Sequence, residues 1–314
     1  MMMDKQSVSV VIPNFNGSEL LRSYLPAVYD ALKSSIYVSD FEIIVVDDAS
    51  KDDSVQFISD NFPEIILLKN AENSGFSKTI NKGIFVAKME LILLLNSDMA
   101  LQKDIFDYLI PPFSLDTELF GVAPTILNQA GDKVLEAQKL PDFSKNKISY
   151  LDNFNQTKTA NSLYLCGGCA LVNRDKLLKI NGFSEIYSPF YFEDYDLSVR
   201  AWLNGWKCLY VPEARVLHCH SVTIKTYFDK EKVEKIFIRN RLLLNYLYLN
   251  NFDCFLFSLK NYGKYILGGI FSSKSKRKFN VSFKMYQKIM GRKTMRKEMQ
   301  AKENLNEVLK KYFK

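Results

Sequence analysis

Histidine is almost absent, with two residues in a chain of 314, both in the stretch "ARVLHCHS" at His218 and His220. The five cysteines, Cys166, Cys169, Cys208, Cys219 and Cys254, are odd in number and irregularly spaced. That pattern argues against a disulfide framework and for a reducing, cytoplasmic setting. The N-terminus "MMMDKQSVSVVIP" carries no apolar stretch of the signal-peptide kind before it enters a strand pattern. Excess basic charge is missing from most of the chain as well. Fourteen Lys and Arg against three Asp and Glu fall between Lys274 and Lys314, a local +11, so the first 273 residues carry about −4 of the net +7. A nucleic-acid partner is therefore not expected, because its footprint needs basic residues spread over the folded body. Internal repeats are absent, and no low-complexity tract precedes the tail. With 47% hydrophobic residues the chain can bury one large core, or a core and a smaller appendage.

What is present is an alternation of two patterns. "SVSVVIP" (7–13), "FEIIVVDD" (41–48), "EIILLKN" (64–70) and "LILLLN" (91–96) are short apolar runs without clean alternation, the mark of strands buried on both faces. Helical spacing separates them: Leu21, Tyr24, Leu25, Val28 and Leu32, then Val55 and Ile58, then Phe76, Ile80, Ile84 and Val86. This predicts an α/β fold with a mainly parallel sheet flanked by helices. Ser18 and Ser50 are expected N-caps, and Pro26 an expected kink in the first helix. Beyond residue 115 extended pieces, "FGVAPTILN" and "LYLCGGCALVN", with a turn at "NQAGDK" between them, predict a mixed half.

Ligands of open α/β sheets bind beyond the carboxyl ends of the strands. Three strand ends here are polar: "PNFNG", "DDAS" and "NSD". Parallel strands put them on one rim, so Asp48 can accept hydrogen bonds from a base or ribose. Asp98 can bind a hard divalent cation that neutralises a diphosphate. "NSGFSKTINKGI" (73–84) sets Gly75 before a helix, where backbone N–H groups can meet an anion. "SPFYFEDYDLSVRAWLNGWKC" (188–208) opens a helix with Glu193 and Asp194 and closes it at Gly205. One of the two carboxylates is a candidate general base, its pKa raised by Phe190, Tyr191 and Phe192. Taken alone, each of these carboxylates also reads as a turn or cap residue. His218 and His220, two apart on a strand, share a face and can add an imidazole ligand. "CGGC" (166–169) with "HCH" leaves a structural zinc site as a rival, although HxH departs from the usual spacing; otherwise the glycines line a cleft floor.

Together the blocks "VSVVIPNFNG", "IIVVDDASKDDS", "NSGFSKTINKGI", "LLLNSDM", "GGCALVNRDKLLKINGF", "FYFEDYDLSVRAWLNG" and "VLHCHS" resemble, in order, those of glycosyltransferase family 2, and most its bacterial rhamnosyltransferase-like branch. The resemblance runs from about Val8 to Ser221, with "RNRLLLNYL" (239–247) a weaker echo. It implies a GT-A fold, a nucleotide-diphosphosugar donor (UDP- or dTDP-sugar), Mg2+ or Mn2+, and inverting transfer to an acceptor hydroxyl. By the same resemblance Pro13 and Phe15 flank the nucleobase and Asp48 recognises it. Asn73, Gly75, Asn96 and Ser97 lie on the nucleotide-sugar side, while Gly168 and Tyr191 lie on the acceptor side. Asp98 is the last carboxylate of the DxD motif, His218 a further metal ligand, and Asp194 the base, with Glu193 next in line. Asn96 departs from DxD but is still an oxygen donor.

A GT-A domain is thus expected over residues 1–230, with a nucleotide-sugar half to about 115 and an acceptor half after it. A helical, basic extension follows over 231–314. The apolar stretch 245–273 is broken by Asp253, Lys260 and Lys264, each costing about 2.5–3.5 kcal/mol at a bilayer centre. An interfacial helix followed by "KSKRK" fits contact with an anionic membrane at the inner face of the cell, and with a glycan or polyprenyl-diphosphate-linked sugar acceptor. A helical appendage packed on the body reads equally well. Two other functions fit parts of the pattern: a nucleotidyltransferase, although "PNFNG" lacks that fold's basic fingerprint, and a zinc-stabilised binding protein without catalysis.

Overall fold

A computed structural model describes residues 4–144, 147–219, 229–270, 283–284 and 304–313, with the backbone alone for 264–270. Strands β1 (Gln6–Asn14), β2 (Val38–Asp47), β3 (Ile66–Lys69) and β4 (Leu91–Leu95) alternate with helices α1 (Ser18–Ser34), α2 (Ser54–Asn61) and α3 (Phe76–Val86). They pair in parallel in the order β4-β1-β2-β3. Parallel neighbours require crossovers, which the helices supply. β1 therefore lies under cover on both faces, and Val8, Val10 and Val11 have no exposed surface. Their uninterrupted apolar sequence follows from that burial.

The second stretch comprises β5 (Met99–Leu101), α4 (Ile105–Leu109), α5 (Pro111–Leu115), β6 (Leu119–Asn128), β7 (Val134–Glu136), β8 (Gln138–Pro141), β9 (Tyr150–Asn153), β10 (Ala160–Asn161), β11 (Cys169–Asn173), α6 (Arg174–Lys179), α7 (Glu193–Leu203) and β12 (Lys207–His218). Its strands other than β8 and β9, which form a two-stranded sheet of their own, extend the same sheet to β10-β12-β6-β11-β4-β1-β2-β3, with β5 on β12 and β7 on β6. β11 is antiparallel to β4 and β6, whereas β12 is parallel to β6, giving the mixed half expected. The turn at "NQAGDK" joins β6 to β7, with Gly131 at φ +75 and its N–H bonded to the Asn128 carbonyl.

Two caps fall elsewhere than expected. Gly17 precedes α1 and Asp53 precedes α2, neither with a side-chain cap. Asp52 takes the work of both serines: its carboxylate accepts from the N–H of Ser18 at 2.9 Å and of Ser54 at 3.1 Å. Ser50 instead accepts from the Asn16 N–H and the Asn14 amide. Helix α1 runs unbroken through Pro26.

The chain forms two compact units, Met1–Lys139 with Asp152–Pro189 and Glu193–Ser221, and Leu140–Leu151 with Phe190–Phe192 and Val222–Lys314. The helical unit includes the two short inner segments as well as the C-terminal stretch. That unit contains α8 (Lys230–Tyr248), α9 (Asn251–Ile270) and α10 (Leu305–Tyr312). Asp229 and Asn304 cap α8 and α10 through their side chains. The "KSKRK" stretch and His220 lie outside the described residues. Among the described residues no helix is long and apolar enough to cross a membrane.

Candidate active site

The parallel register sets Asn14 beside Asp47 and Val11 beside Leu94, so the polar ends of β1, β2 and β4 share one rim. The Asn14 amide donates to Asp47 at 3.0 Å, and the Asp48 N–H reaches the Asn14 carbonyl at 2.8 Å. The "PNFNG" loop runs close to "NSD": a Cβ placed on Gly17 would stand 3.4 Å from the Ser97 hydroxyl. Pro13 and Phe15 are half-buried there and Asn73 is exposed. Asp48 is buried, and its carboxylate accepts from the N–H groups of Ser74 (2.8 Å) and Gly75 (3.0 Å) and from the Asn70 amide (2.8 Å). The backbone N–H groups expected to meet a ligand anion at the glycine loop therefore already hold one, the side chain of Asp48. A carboxylate offers about four acceptor sites, which leaves Asp48 one more bond to accept.

Helix α7 is fastened to the stretch 163–167, which leads into the turn closed by the Cys169 N–H on the Cys166 carbonyl, by a matched repeat. Asp194 Oδ2 accepts from the Gly167 N–H at 3.2 Å, Ser198 Oγ from the Leu165 N–H at 3.0 Å, and Trp202 Nε1 donates to the Leu163 carbonyl at 3.0 Å. Every fourth helical residue meets every second residue of the stretch. The opposite side of α7 is held by Arg200, which donates to Asp196 (2.8 Å) and to the carbonyls of Ile180 (2.6 Å) and Gly182 (2.8 Å). Tyr187 donates to the other oxygen of Asp196 at 3.1 Å.

Burial raises the pKa of Asp194 above the usual carboxylate range, although the Gly167 and Tyr195 N–H groups work the other way; the charge of Glu136 adds to the rise. Glu193 is buried beside it at the start of the helix. The two glycines of "CGGC" explain the close approach. A Cβ on Gly167 would stand 3.1 Å from Asp194 Cβ, and one on Gly168 would stand 2.6 Å from Met99 Cε and 3.4 Å from the Asn96 amide nitrogen. The Gly168 carbonyl also accepts from the Asn96 N–H at 2.9 Å. One dipeptide thus touches Asp194 at one residue and the turn carrying Asn96, Ser97 and Asp98 at the next.

Pairing of β5 with β12 sets His218 opposite Met99 and so next to Asp98. His218 Nε2 lies 3.1 Å from Asp98 Oδ2, and Asp98 Oδ1 is buried with no hydrogen-bond partner. An imidazole nitrogen beside an unsatisfied buried carboxylate oxygen is a donor set that fits a divalent cation. Among the described residues no three His, Cys, Asp or Glu side chains converge. Burial pushes the Cys169 thiol up to about 12 and raises Cys166 and Cys208 too, so these thiols are protonated at neutral pH. Tyr24 of α1 was legible only as a core position. A hydrogen bond with Cys219, burial, and the nearby Cys219 and Asp98 push its phenol up to about 12. Tyr191 belongs to the helical unit, with its ring against Phe190 and Phe237.

The family model described as glycosyl transferase family 2 matches residues 9–180, more than half of the chain. The chain belongs to glycosyltransferase family 2. This family 2 chain is similar to the N-acetylglucosaminyl-diphospho-decaprenol L-rhamnosyltransferase of Mycobacterium tuberculosis, 24% identical over 202 residues that cover 56% of the chain and 66% of the relative. It is also similar to the O-antigen chain rhamnosyltransferase RfbN of Salmonella typhimurium, 25% identical over 229 residues covering 71% of the chain and 69% of the relative. Among solved structures it resembles GalNAc-T7 with UDP, GalNAc and Mn2+ at a TM-score of 0.62 and 16% identity, over 94% of this chain and 59% of that one. It resembles S. aureus TarS 1-349 in complex with UDP-GlcNAc at 0.55 and 18%, over 76% and 67%. The chain spans less than two thirds of the M. tuberculosis relative and of the GalNAc-T7 chain. These likenesses identify the fold of the family 2 chain as GT-A.

Proposed function

We propose that this family 2 chain is an inverting, metal-dependent hexosyltransferase that moves a sugar from a UDP- or dTDP-sugar to a hydroxyl of a glycan or polyprenyl-diphosphate-linked sugar, in surface polysaccharide synthesis. The observation that carries the reading is the Gly167–Gly168 dipeptide, which ties a carboxylate of raised pKa to the turn bearing Asp98. Asp98 and His218 would hold Mg2+ or Mn2+, with the Asn96 amide oxygen in the position of the first DxD carboxylate. When bound, the metal would offset the charge growing on the leaving diphosphate. Pro13 and Phe15 would enclose the nucleobase and Asp48 would accept from it through its remaining lone pair; Asn73, Gly75 and Ser97 would border the donor, with Gly168 toward the acceptor.

Asp194 takes the acceptor proton as the hydroxyl oxygen bonds to the anomeric carbon. The bond from that carbon to the diphosphate breaks on the far side, its electron pair leaving with the diphosphate, and the configuration inverts. Burial suits the base to this step, since a carboxylate of raised pKa holds the proton better. Rhamnosyltransferases acting in lipid-linked and O-antigen synthesis among the relatives support this substrate class. A place at the inner face of the membrane is supported by α9, whose Phe252, Phe255 and Leu259 form an exposed apolar stripe.

The test is a panel of UDP-GlcNAc, UDP-galactose, dTDP-rhamnose and GDP-mannose with Mn2+ or Mg2+, read as nucleoside diphosphate released. Release that disappears in Asp98→Ala together with metal-dependent donor binding, and in Asp194→Ala with donor binding kept, is expected. Wild-type release by Asp194→Ala would move the base to Glu193. No metal-dependent binding of any donor would end the reading.

A further inference from the structure

We infer that Asn240 of α8 is a positioning residue for the candidate base Asp194, acting through the turn that leads into α7. The inference rests on the proposed transfer. Tyr191 and Phe192 adopt φ +73 and +75, a left-handed backbone that costs large aromatic residues energy and persists only where surroundings impose it. Asn240 is fully buried, and its amide nitrogen donates to the Phe190 carbonyl at 2.9 Å and to the Tyr191 carbonyl at 2.8 Å. Those carbonyls belong to the peptide groups immediately before Tyr191 and Phe192. The two hydrogen bonds therefore grip the two peptide planes whose rotation sets the two left-handed φ angles.

Asn240 is itself held, because its side-chain oxygen accepts from buried Arg239 Nε at 2.7 Å. This fixes which end of the amide faces the turn. Phe237, one helical turn earlier on the same face of α8, packs its ring against Tyr191 and Phe192 at 5.9 and 5.0 Å between centroids. All of these contacts lie within the helical unit. The next two residues of the chain are Glu193 and Asp194, the first two of α7. A neighbouring asparagine does similar service without any such consequence: Asn245 Oδ1 accepts from the Ile148 N–H at 2.7 Å, holding a segment far in sequence from the carboxylates.

The experiment compares wild type, Asn240→Asp, Asn240→Ala and Asp194→Asn in the full chain. Asn240→Asp keeps shape and removes both donors, turning an oxygen toward two carbonyls. Two readouts are taken: hydrogen exchange at the amides of 192–195 against those of β1 and β4, and release of nucleoside diphosphate from whichever of UDP-GlcNAc, UDP-galactose, dTDP-rhamnose or GDP-mannose the wild type turns over fastest with Mn2+. Expected for both Asn240 variants are faster exchange at 192–195 only, kcat down at least tenfold, and donor KM within twofold. Unchanged exchange, a kcat within twofold of wild type, or a parallel loss of kcat, donor KM and core protection would overturn the inference. Should the wild type release nothing, or Asp194→Asn match it, the transfer reading fails instead. Exchange then decides Asn240 by itself: confined to 192–195 it retains the grip on the turn, and unchanged it removes it.

Discussion

Replacing Arg200 by methionine tests whether α7 is held by a buried charge pair. Arg200 and Asp196 are four residues apart, and their side chains are 9% and 1% exposed. Removing one partner of such a pair costs about 3–5 kcal/mol, because the charge left behind loses its compensation. The carbonyls of Ile180 and Gly182 also lose this donor, each worth about 1 kcal/mol. A loss of about 5–7 kcal/mol is expected for Arg200→Met, comparable with the roughly 5–15 kcal/mol that holds a domain together. The double variant Asp196→Leu/Arg200→Met should lose less, about 2 kcal/mol, since two apolar side chains leave no buried charge.

Urea unfolding followed by tryptophan fluorescence reads both. The only two tryptophans, Trp202 and Trp206, lie in the same unit as the pair, and Trp202 is on α7 itself. The coupling energy of the double-mutant cycle is expected to exceed 2 kcal/mol. Losses that simply add, or a single-variant loss under about 1 kcal/mol, would refute the claim that this pair anchors the helix.

Three further outcomes follow from the geometry. Burial raises Asp194 above the ordinary carboxylate value of about 3.9, so the folded chain binds its proton more tightly than the unfolded chain, and stability falls as pH rises from there through the raised value. Asp194→Asn should accordingly be at least as stable as wild type at pH 7 and lose that advantage below about pH 4; a thermal-shift pH series checks the sign. Gly167→Ala places a Cβ 3.1 Å from Asp194 Cβ and should lower transfer on the order of tenfold with donor affinity kept, whereas a wild-type rate would show that the carboxylate tolerates displacement. Phe252→Ser/Phe255→Ser/Leu259→Ser should reduce sedimentation with vesicles containing phosphatidylglycerol while leaving donor binding unchanged, and equal sedimentation would remove α9 from any membrane contact.

Much of the parallel half was legible because burial on both faces writes itself into sequence as apolar runs that end in polar residues, as Leu91–Leu95 ends in Asn96 and Asp98. What escaped depends on partners distant in sequence. Asp52 capping two helices and Asp48 occupying the N–H groups of the glycine loop are both fixed by hydrogen bonds that no local pattern encodes. Asp196 and Arg200 did leave a signal, opposite charges four apart in a helix otherwise buried, and "RNR" left a weaker one.

The choice between Glu193 and Asp194 illustrates where the remaining information lay. From sequence both carboxylates open the helix and either can reach a ligand. Read at steps of four, however, Asp194, Ser198 and Trp202 form a stripe of groups able to hydrogen-bond, and Leu163, Leu165 and Gly167 are alternate residues that meet them. Glu193 stands about 100° away from that stripe around the helix. The register that seats Trp202 on Leu163 and Ser198 on Leu165 therefore leads one carboxylate, Asp194, to the Gly167 N–H. Gly167 lacks the side chain that would push that carboxylate away, and Gly168 beside it holds the Asn96 end of the turn that carries Asp98. A single helix register thus favours Asp194 as the base and sets its distance from the candidate metal ligand through one dipeptide.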